Sequence, residues 1–94
     1  MLILSLTYIV PLEQVDAHIA PHMDWVAKGY EDRIFLASGR KEPRTGGVIL
    51  AQGKRDALET LVATDPFVTA GVAQYEITEI SLSRTAPGLE RLKG

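Results

Sequence analysis

The chain has 94 residues, of which 46% are hydrophobic, and ten basic against twelve acidic residues give it a formal net charge of −2. This length allows one domain. The absence of cysteine excludes disulfides and cysteine nucleophiles, and the lack of a basic excess argues against nucleic-acid binding. No apolar stretch is long enough to cross a membrane, and residues 1–10 lack the basic start of a signal peptide. We therefore expect a cytoplasmic protein with no membrane or nucleic-acid partner.

The first element is a strand over Leu2–Tyr8. Leucine alternates with other residues at positions 2, 4 and 6, and Tyr8 continues that side, which is the period of a strand with one buried face. Pro11 ends the strand because proline cannot donate to a ladder.

Helical spacing follows over residues 12–33. Pro21 interrupts the run, and a proline in mid-helix costs about 3 kcal/mol. The pattern therefore predicts a short helical segment before Ala20 and a main helix with Pro21 in its first turn, fraying near Tyr30 or Glu31. The apolar stripe of this region consists of Leu12, Val15, Ile19, His22, Val26 and Tyr30.

Two strands come next, over Ile34–Ser38 and Gly46–Ala51, and Gly39–Thr45 forms a basic hairpin loop between them. Apolar spacing predicts a second helix over Arg55–Ala63, and Gly53 is available as its N-cap.

Asp65 and Pro66 predict a further short turn, since aspartate can cap it, proline can open it and Gly71 would stop it. The final strand is predicted over Val72–Ser83. Its apolar period slips, so we expect either a bulge or a two-sided environment.

The resulting order, βαββαβ, predicts an α+β fold in which a four-stranded antiparallel sheet carries two helices on one face. A single domain covers residues 1–84, and residues 85–94 form a tail that is ordered only if a partner holds it. Residues 34–37 and 48–51 are apolar on both sides of their strands, so the second sheet face also needs a cover. A homodimer through this open face is the simplest cover.

The two histidines, His18 and His22, lie four residues apart. Such a pair can bind zinc from one helical face. Pro21 disrupts the turn between them and the chain has no evident third ligand, so we expect no metal and a solvated His18.

His22 lies on the apolar stripe and is therefore expected to face the sheet. It is either a half-buried structural histidine or a proton-transfer group. Asp65, in the apolar segment 63–68, is the best available partner carboxylate. Asp65 can also cap a helix, and the two roles are compatible because a carboxylate has two oxygens.

The predicted substrate-binding residues are Ser38, Gly39, Arg44, Phe67 and Tyr8. Ser38 and Gly39 end a strand, where they either line a pocket or form an ordinary turn. The cations at positions 40, 41 and 44 either attract an anionic substrate or sit on a solvated hairpin tip. The two aromatic residues are either core or ligand platforms. A serine nucleophile is not supported, since no G-x-S-x-G elbow is present.

Four segments together resemble the YCII-related (YciI-like) family along residues 1–82. They are Pro21-His22, Phe35–Gly39, Gly46–Leu50 and Asp65–Gly71. The resemblance implies a ferredoxin-like fold, a homodimeric α+β barrel and a pocket beside the sheet. It also implies an active site built around His22 and Asp65, accompanied by Ser38.

The function expected on this basis is acid/base chemistry by a His-Asp dyad, an elimination or isomerisation of a small cyclic or aromatic molecule, without a cofactor. The alternative is a non-catalytic dimeric module that binds a small molecule or assists another protein, with His22 and Asp65 as a structural pair. The sequence leaves the ligand itself open.

Overall fold

The computed structural model describes residues 1–93. Its elements are β1 (Leu2–Tyr8), α1 (Leu12–Asp16), α2 (Ile19–Glu31), β2 (Phe35–Arg40), β3 (Gly46–Ala51), α3 (Arg55–Val62), α4 (Pro66–Thr69) and β4 (Ala73–Glu79), followed by a 3₁₀ turn at Glu90–Lys93.

The four strands form one sheet in the order β2-β3-β1-β4, with every neighbouring pair antiparallel. The central strand β1 pairs with β3 on one side and β4 on the other, so that Leu4 lies between Ile49 and Ile77. The predicted α+β, ferredoxin-like arrangement is confirmed.

The main core lies between one face of the sheet and the long helices α2 and α3, which both pack on that face. Burying these aliphatic side chains is the main stabilising term of such a small fold. The buried members are Leu2, Leu4, Val26, Phe35, Ile49, Ala51, Leu58 and Val62. A second cluster, which leads toward α1 and α4, contains Leu6, Val15, Phe67, Val72 and Ala73.

Pro21 divides the first helical region as predicted. The region forms two helices, α1 and α2, and Pro21 is the third residue of α2. The backbone N–H groups of the first turn have no acceptor within the helix. Proline, which lacks an N–H, therefore loses no helical hydrogen bond there.

Gly29 sits inside α2 because Phe35 of β2 occupies the space where a side chain would be. A Cβ built on Gly29 would lie 2.1 Å from Phe35 Cε2. Glycine has a low helix propensity, so Gly29 weakens α2 at this position. In return it lets α2 pack closely against Phe35 of the sheet. The helix continues to Glu31.

Several details of the predicted elements are wrong. Strand β2 covers Phe35–Arg40 and not Ile34–Ser38, so Gly39 and Arg40 belong to the strand and not to the hairpin loop. The last strand ends at Glu79, not Ser83, because its ladder with β1 ends at the pair of Glu79 and Leu2. The N–H of Ile80 bonds the carbonyl oxygen of Met1 at 2.9 Å, and the ladder stops there. The pairing of β1 with β4 is regular throughout, so the bulge, one of the two alternatives expected for this strand, is absent from β4.

The register shift lies in β2 instead, between Phe35 and Ala37. The N-cap of α3 is Lys54, not Gly53, and no side chain caps it. Gly71 does follow the end of α4 as predicted, with a φ of 74° that a glycine adopts without strain.

The sheet face opposite the helices is apolar toward β3 and polar toward β4. Strand alternation places Ile3, Val48 and Leu50 on this open face, and all three are half-buried within the single chain. On β4 the corresponding positions are Gln74, Glu76 and Thr78, which are exposed. The homodimer expected through this face stays a prediction.

Within residues 1–93, no helix combines the length and apolar character needed to span a membrane. The predicted tail, residues 85–94, contains the 3₁₀ turn at Glu90–Lys93, and its last residue lies outside the described part of the chain.

Candidate active site

Asp65 is held at the start of α4 by local chain geometry. It is the N-cap of this short helix, Pro66 follows at the first helical position, and the side-chain Oδ1 accepts a 2.9 Å hydrogen bond from the N–H of Phe67. Asp65 is 0% exposed. A buried carboxylate needs donors, and the cap supplies the first.

Tyr75 of β4 supplies the second donor. Its phenol donates a 2.6 Å hydrogen bond to Asp65 Oδ2. Burial raises the pKa of the Tyr75 phenol far above its usual range, and the adjacent Asp65 carboxylate raises it further. Tyr75 therefore stays a neutral donor at every pH at which the protein would work.

The third donor is His22, the fourth residue of α2. Its Nδ1 lies 2.8 Å from Oδ1 and 3.0 Å from Oδ2 of Asp65. The imidazole is stacked on the ring of Phe67, with centroids 3.9 Å apart and planes 9° apart. The Trp25 ring also lies close to parallel with the imidazole, with centroids 6.2 Å apart and planes 23° apart. The ring is thus fixed in position and in orientation.

This geometry assigns the two ring nitrogens of His22 different roles. An ionised carboxylate only accepts hydrogen bonds, so the neutral imidazole carries its hydrogen on Nδ1 and donates it to Asp65. Nε2 then presents a lone pair. Because the His22 side chain keeps 12% of its surface exposed while Asp65 keeps none, the histidine is the member of the pair that an incoming molecule can meet.

The accessible side of His22 faces a cavity of about 360 Å³ between α2 and the β1-β3-β2 part of the sheet. Its lining is mostly apolar or glycine. The lining residues are Leu6, Tyr8, Ile19, His22, Met23, Val26, Ser38, Gly39, Arg40, Arg44, Gly46, Gly47, Val48, Ile49, Phe67 and Tyr75. Asp65 is not among them and lies behind His22.

Residues 1–81 match the YCII-related domain. The chain belongs to the YCII-related family. The match confirms the resemblance that the Pro21-His22 and Asp65–Gly71 segments carried. No curated protein matches the chain.

Among solved structures, this YCII-related protein is similar to the 5-chloro-2-hydroxyhydroquinone dehydrochlorinase of Burkholderia phenoliruptrix, in complex with 2,5-dihydroxybenzoquinone. The TM-score is 0.70 at 18% sequence identity, over 85% of this chain and 93% of the other. At that identity the likeness establishes the fold.

The structure brings all seven predicted site residues of the YCII-related protein to one place. Six of them line the cavity, and Asp65 stands behind His22. Asp65 carries both of the roles that the sequence left open, because it caps α4 and binds His22 at the same time. The roles of these residues in catalysis or binding stay predictions.

Ser38 and Gly39 lie on the β2 wall of the cavity. The Ser38 hydroxyl is 2.7 Å from the Tyr30 hydroxyl, and this pair connects β2 with the end of α2. Ser38 therefore borders the cavity opening and engages Tyr30, not His22.

Arg44 closes another side of the opening. Its Nη2 donates a 2.6 Å hydrogen bond to Asp16 Oδ1 at the end of α1, which raises the pKa of Arg44. The guanidinium carbon lies 5.8 Å from the centroid of the Tyr8 ring, and that ring meets Phe67 edge-on at 5.9 Å. Arg44 thus joins the hairpin loop to α1 across an aromatic wall.

Tyr75 and Tyr30 were not anticipated as site residues. Alternation places Tyr75 on the same face of β4 as Ile77, and Tyr30 lies on the apolar stripe of its helical region, so both patterns are typical of ordinary core aromatic residues. Their hydrogen-bond partners, Asp65 and Ser38, depend on how the elements pack. His18, which was expected to be solvated, is half-buried at the N-cap of α2, and no group of three or more potential metal-ligating His, Cys, Asp or Glu residues occurs among residues 1–93.

Proposed function

We propose that this YCII-related protein is an enzyme that uses His22 to transfer a proton to or from a small cyclic or aromatic molecule, with Asp65 orienting the imidazole. The observation that carries the proposal is the 2.8 Å contact from His22 Nδ1 to a fully buried carboxylate, which leaves Nε2 for the substrate. A positioned histidine of this kind typically contributes about 10²–10⁴-fold to a rate.

In the proposed step, Nε2 accepts a proton from a C–H or O–H group of the substrate. The electron pair left behind forms a new double bond. In an elimination, a leaving group departs with its own electron pair, whereas in an isomerisation the proton returns to a different atom of the same molecule. Asp65 stabilises the imidazolium that forms in between, since Nδ1–H already points at it.

The cavity supports a planar ring as the reacting molecule. The lining is mostly apolar and includes the Tyr8 ring, and the volume of about 360 Å³ is suited to a single ring with its substituents. The similar structure from Burkholderia phenoliruptrix is described with a dihydroxybenzoquinone bound, which agrees with this size and shape.

A second candidate function is a non-catalytic binding module in which the pair is structural. It is favoured by one observation: the bonds of Asp65 tie α2, α4 and β4 together. Loss of Asp65 would therefore destabilise the protein under either function, so the decisive residue is His22. Glutamine at position 22 can still donate an amide N–H toward Asp65 but cannot transfer a proton near neutral pH.

The test is His22→Gln, with His18→Gln as the matched control because His18 is the other histidine, does not line the cavity and makes no side-chain cap hydrogen bond. Chloride release from 5-chloro-2-hydroxyhydroquinone is the first assay, since an elimination is one of the two reaction types proposed. Deuterium uptake from D₂O by ring C–H acids, followed by NMR, is the second. We expect His22→Gln to lower the rate at least about 10²-fold, with a melting temperature close to that of the unaltered protein.

His18→Gln should leave both the rate and the melting temperature unchanged. Full turnover by His22→Gln would contradict the enzymatic proposal. A protein that binds ring compounds but shows neither chloride release nor exchange would favour the binding module.

A further inference from the structure

The charged residues that line the cavity are both cations. Arg40 and Arg44 belong to its lining, and the lining contains no aspartate or glutamate within the described residues 1–93. The nearest carboxylate behind the wall, Asp65, is fully buried and already accepts three donors. A bound anion would therefore meet two cations and no exposed carboxylate of the lining.

The two arginines differ in what they already bind. Arg44 is paired with Asp16 at 2.6 Å, so much of its charge is compensated. Lys41, the neighbouring cation, donates to Thr7 Oγ1 at 3.3 Å and does not line the cavity. Arg40 has no hydrogen bond or ion pair from its side chain to any other residue between positions 1 and 93.

Arg40 is also well placed to meet a ligand. It is the last residue of β2 and pairs with Gly47 of β3, on the same sheet face as Ser38. Since Gly47 has no side chain, nothing on the adjacent strand covers the arginine at that level of the sheet. Arg40 is exposed, so its guanidinium at the edge of the apolar cavity can exchange bound water for the oxygens of a ligand.

We propose that Arg40 recognises an oxyanion on a planar ring, so that the ligand class of this cavity is ring carboxylates, phenolates and enolates. The inference rests on the proposed function for its mechanism: a proton removed by His22 leaves negative charge on the substrate, and Arg40 stabilises that charge as it develops. The planar fork of arginine matches the two oxygens of a carboxylate, and one of its N–H groups can donate to the single oxygen of a phenolate or enolate. The apolar walls take the ring.

The experiment measures binding by calorimetry for two isosteric pairs. Benzoate against benzamide tests a ring carboxylate, and 4-nitrophenolate against 4-nitroaniline tests a ring oxyanion without a carboxylate. We expect at least one anion to bind about tenfold more tightly than its neutral partner, as a charge-assisted hydrogen bond predicts. The preference should shrink at high salt, because the arginine is exposed.

Arg40→Gln should remove the preference for the anion and leave binding of the neutral partner unchanged. Lys41→Gln is the matched control, since it deletes an adjacent cation that does not line the cavity, and it should keep the preference. Equal affinity for anion and neutral partner in the unaltered protein, or an unchanged preference in Arg40→Gln, would overturn the proposal. Absence of binding by both anions would overturn it as well.

Repeating the calorimetry with His22→Gln separates this proposal from the proposed function. Binding of an anion needs Arg40 but no proton transfer, so His22→Gln should retain the preference. If turnover fails to depend on His22 while the preference for anions depends on Arg40, the cavity is an anion-binding site and the acid/base proposal alone falls.

Discussion

The phenol of Tyr75 donates a 2.6 Å hydrogen bond to the carboxylate of Asp65, which in turn binds His22. This contact makes a residue of the last strand part of the His-Asp pair. Tyr75 touches Asp65 on the oxygen that the Phe67 N–H does not use, so the two donors fix both oxygens of the carboxylate. Tyr75 is therefore a positioning residue of the proposed site.

Tyr75→Phe should destabilise the fold, because it keeps the ring but removes a donor from a buried carboxylate. The expected loss in the free energy of unfolding is about 1–3 kcal/mol, measured by urea denaturation. Tyr30→Phe is the control, since Tyr30 is exposed and its hydroxyl meets Ser38 near solvent. Tyr30→Phe should alter the free energy of unfolding by no more than about 0.5 kcal/mol. Equal effects of the two substitutions would argue against a special role for the Tyr75–Asp65 bond.

The same phenol predicts how stability depends on alkaline pH. Burial holds the pKa of Tyr75 above its ordinary value of 10.0 in the folded protein. Above that pH the unfolded chain loses this proton while the folded chain keeps it, so the unfolded state binds fewer protons and stability falls as pH rises. The contribution is constant at lower pH.

The free energy of unfolding can fall by about 1.4 kcal/mol per pH unit because of this one phenol. Urea denaturation on both sides of pH 10.0 should show it as the difference between the unaltered protein and Tyr75→Phe. Because lysines and the other tyrosines are common to both proteins, that difference isolates Tyr75. Parallel pH profiles for the two proteins would show that the Tyr75 phenol ionises as freely in the folded chain as in the unfolded one.

The fold was predictable because it depends on local patterns. Alternation placed β1 at its correct residues, and Pro21 correctly divided α1 from α2. The end of β4 was not predictable in this way, since Glu79 is the last residue with a partner on β1 and that limit is set by another strand. The bulge in β2 is likewise a property of pairing with β3.

The candidate site was predictable where one residue stood out against its neighbours. His22 is polar within an apolar stripe, and Asp65 is charged within an apolar segment. Tyr75 resembles the ordinary half-buried aromatic residues of a strand, so its contact with Asp65 emerges only from the three-dimensional arrangement. The sequence has three cations close together at positions 40, 41 and 44, and it does not show which of them is paired. Only the structure shows that Asp16 binds Arg44 and not Arg40.

Asp65→Asn should change the tautomer of His22, and this prediction needs no substrate. The carboxylate accepts the Nδ1–H, whereas an asparagine amide can also present its N–H₂ group to the ring and favour a hydrogen on Nε2. Long-range ¹H–¹⁵N spectra of the neutral imidazole should show Nδ1–H in the unaltered protein and a growing Nε2–H population in Asp65→Asn. The signals of His18 serve as an internal control.

The accompanying loss of turnover should be about 10²–10⁴-fold, because Nε2 would no longer be free to accept a proton. Identical His22 spectra in the two proteins would contradict the orienting role assigned to Asp65. So would a rate unaffected by the substitution.

The last prediction concerns the open sheet face, where Ile3, Val48 and Leu50 form an apolar half beside a polar half on β4. We propose that a second copy of the chain covers this face, since a thin single-chain core leaves these side chains half-buried and burial of each is worth about 1–2 kcal/mol. Light scattering after size exclusion should give a mass about twice 10.3 kDa.

Leu50→Lys places a charge in the proposed interface and should give monomers. Ala27→Lys, on the exposed side of α2, should leave the mass unchanged. A single-chain mass for the unaltered protein at every concentration would refute the dimer, and the cavity, which lies on the opposite face, would then belong to a monomer.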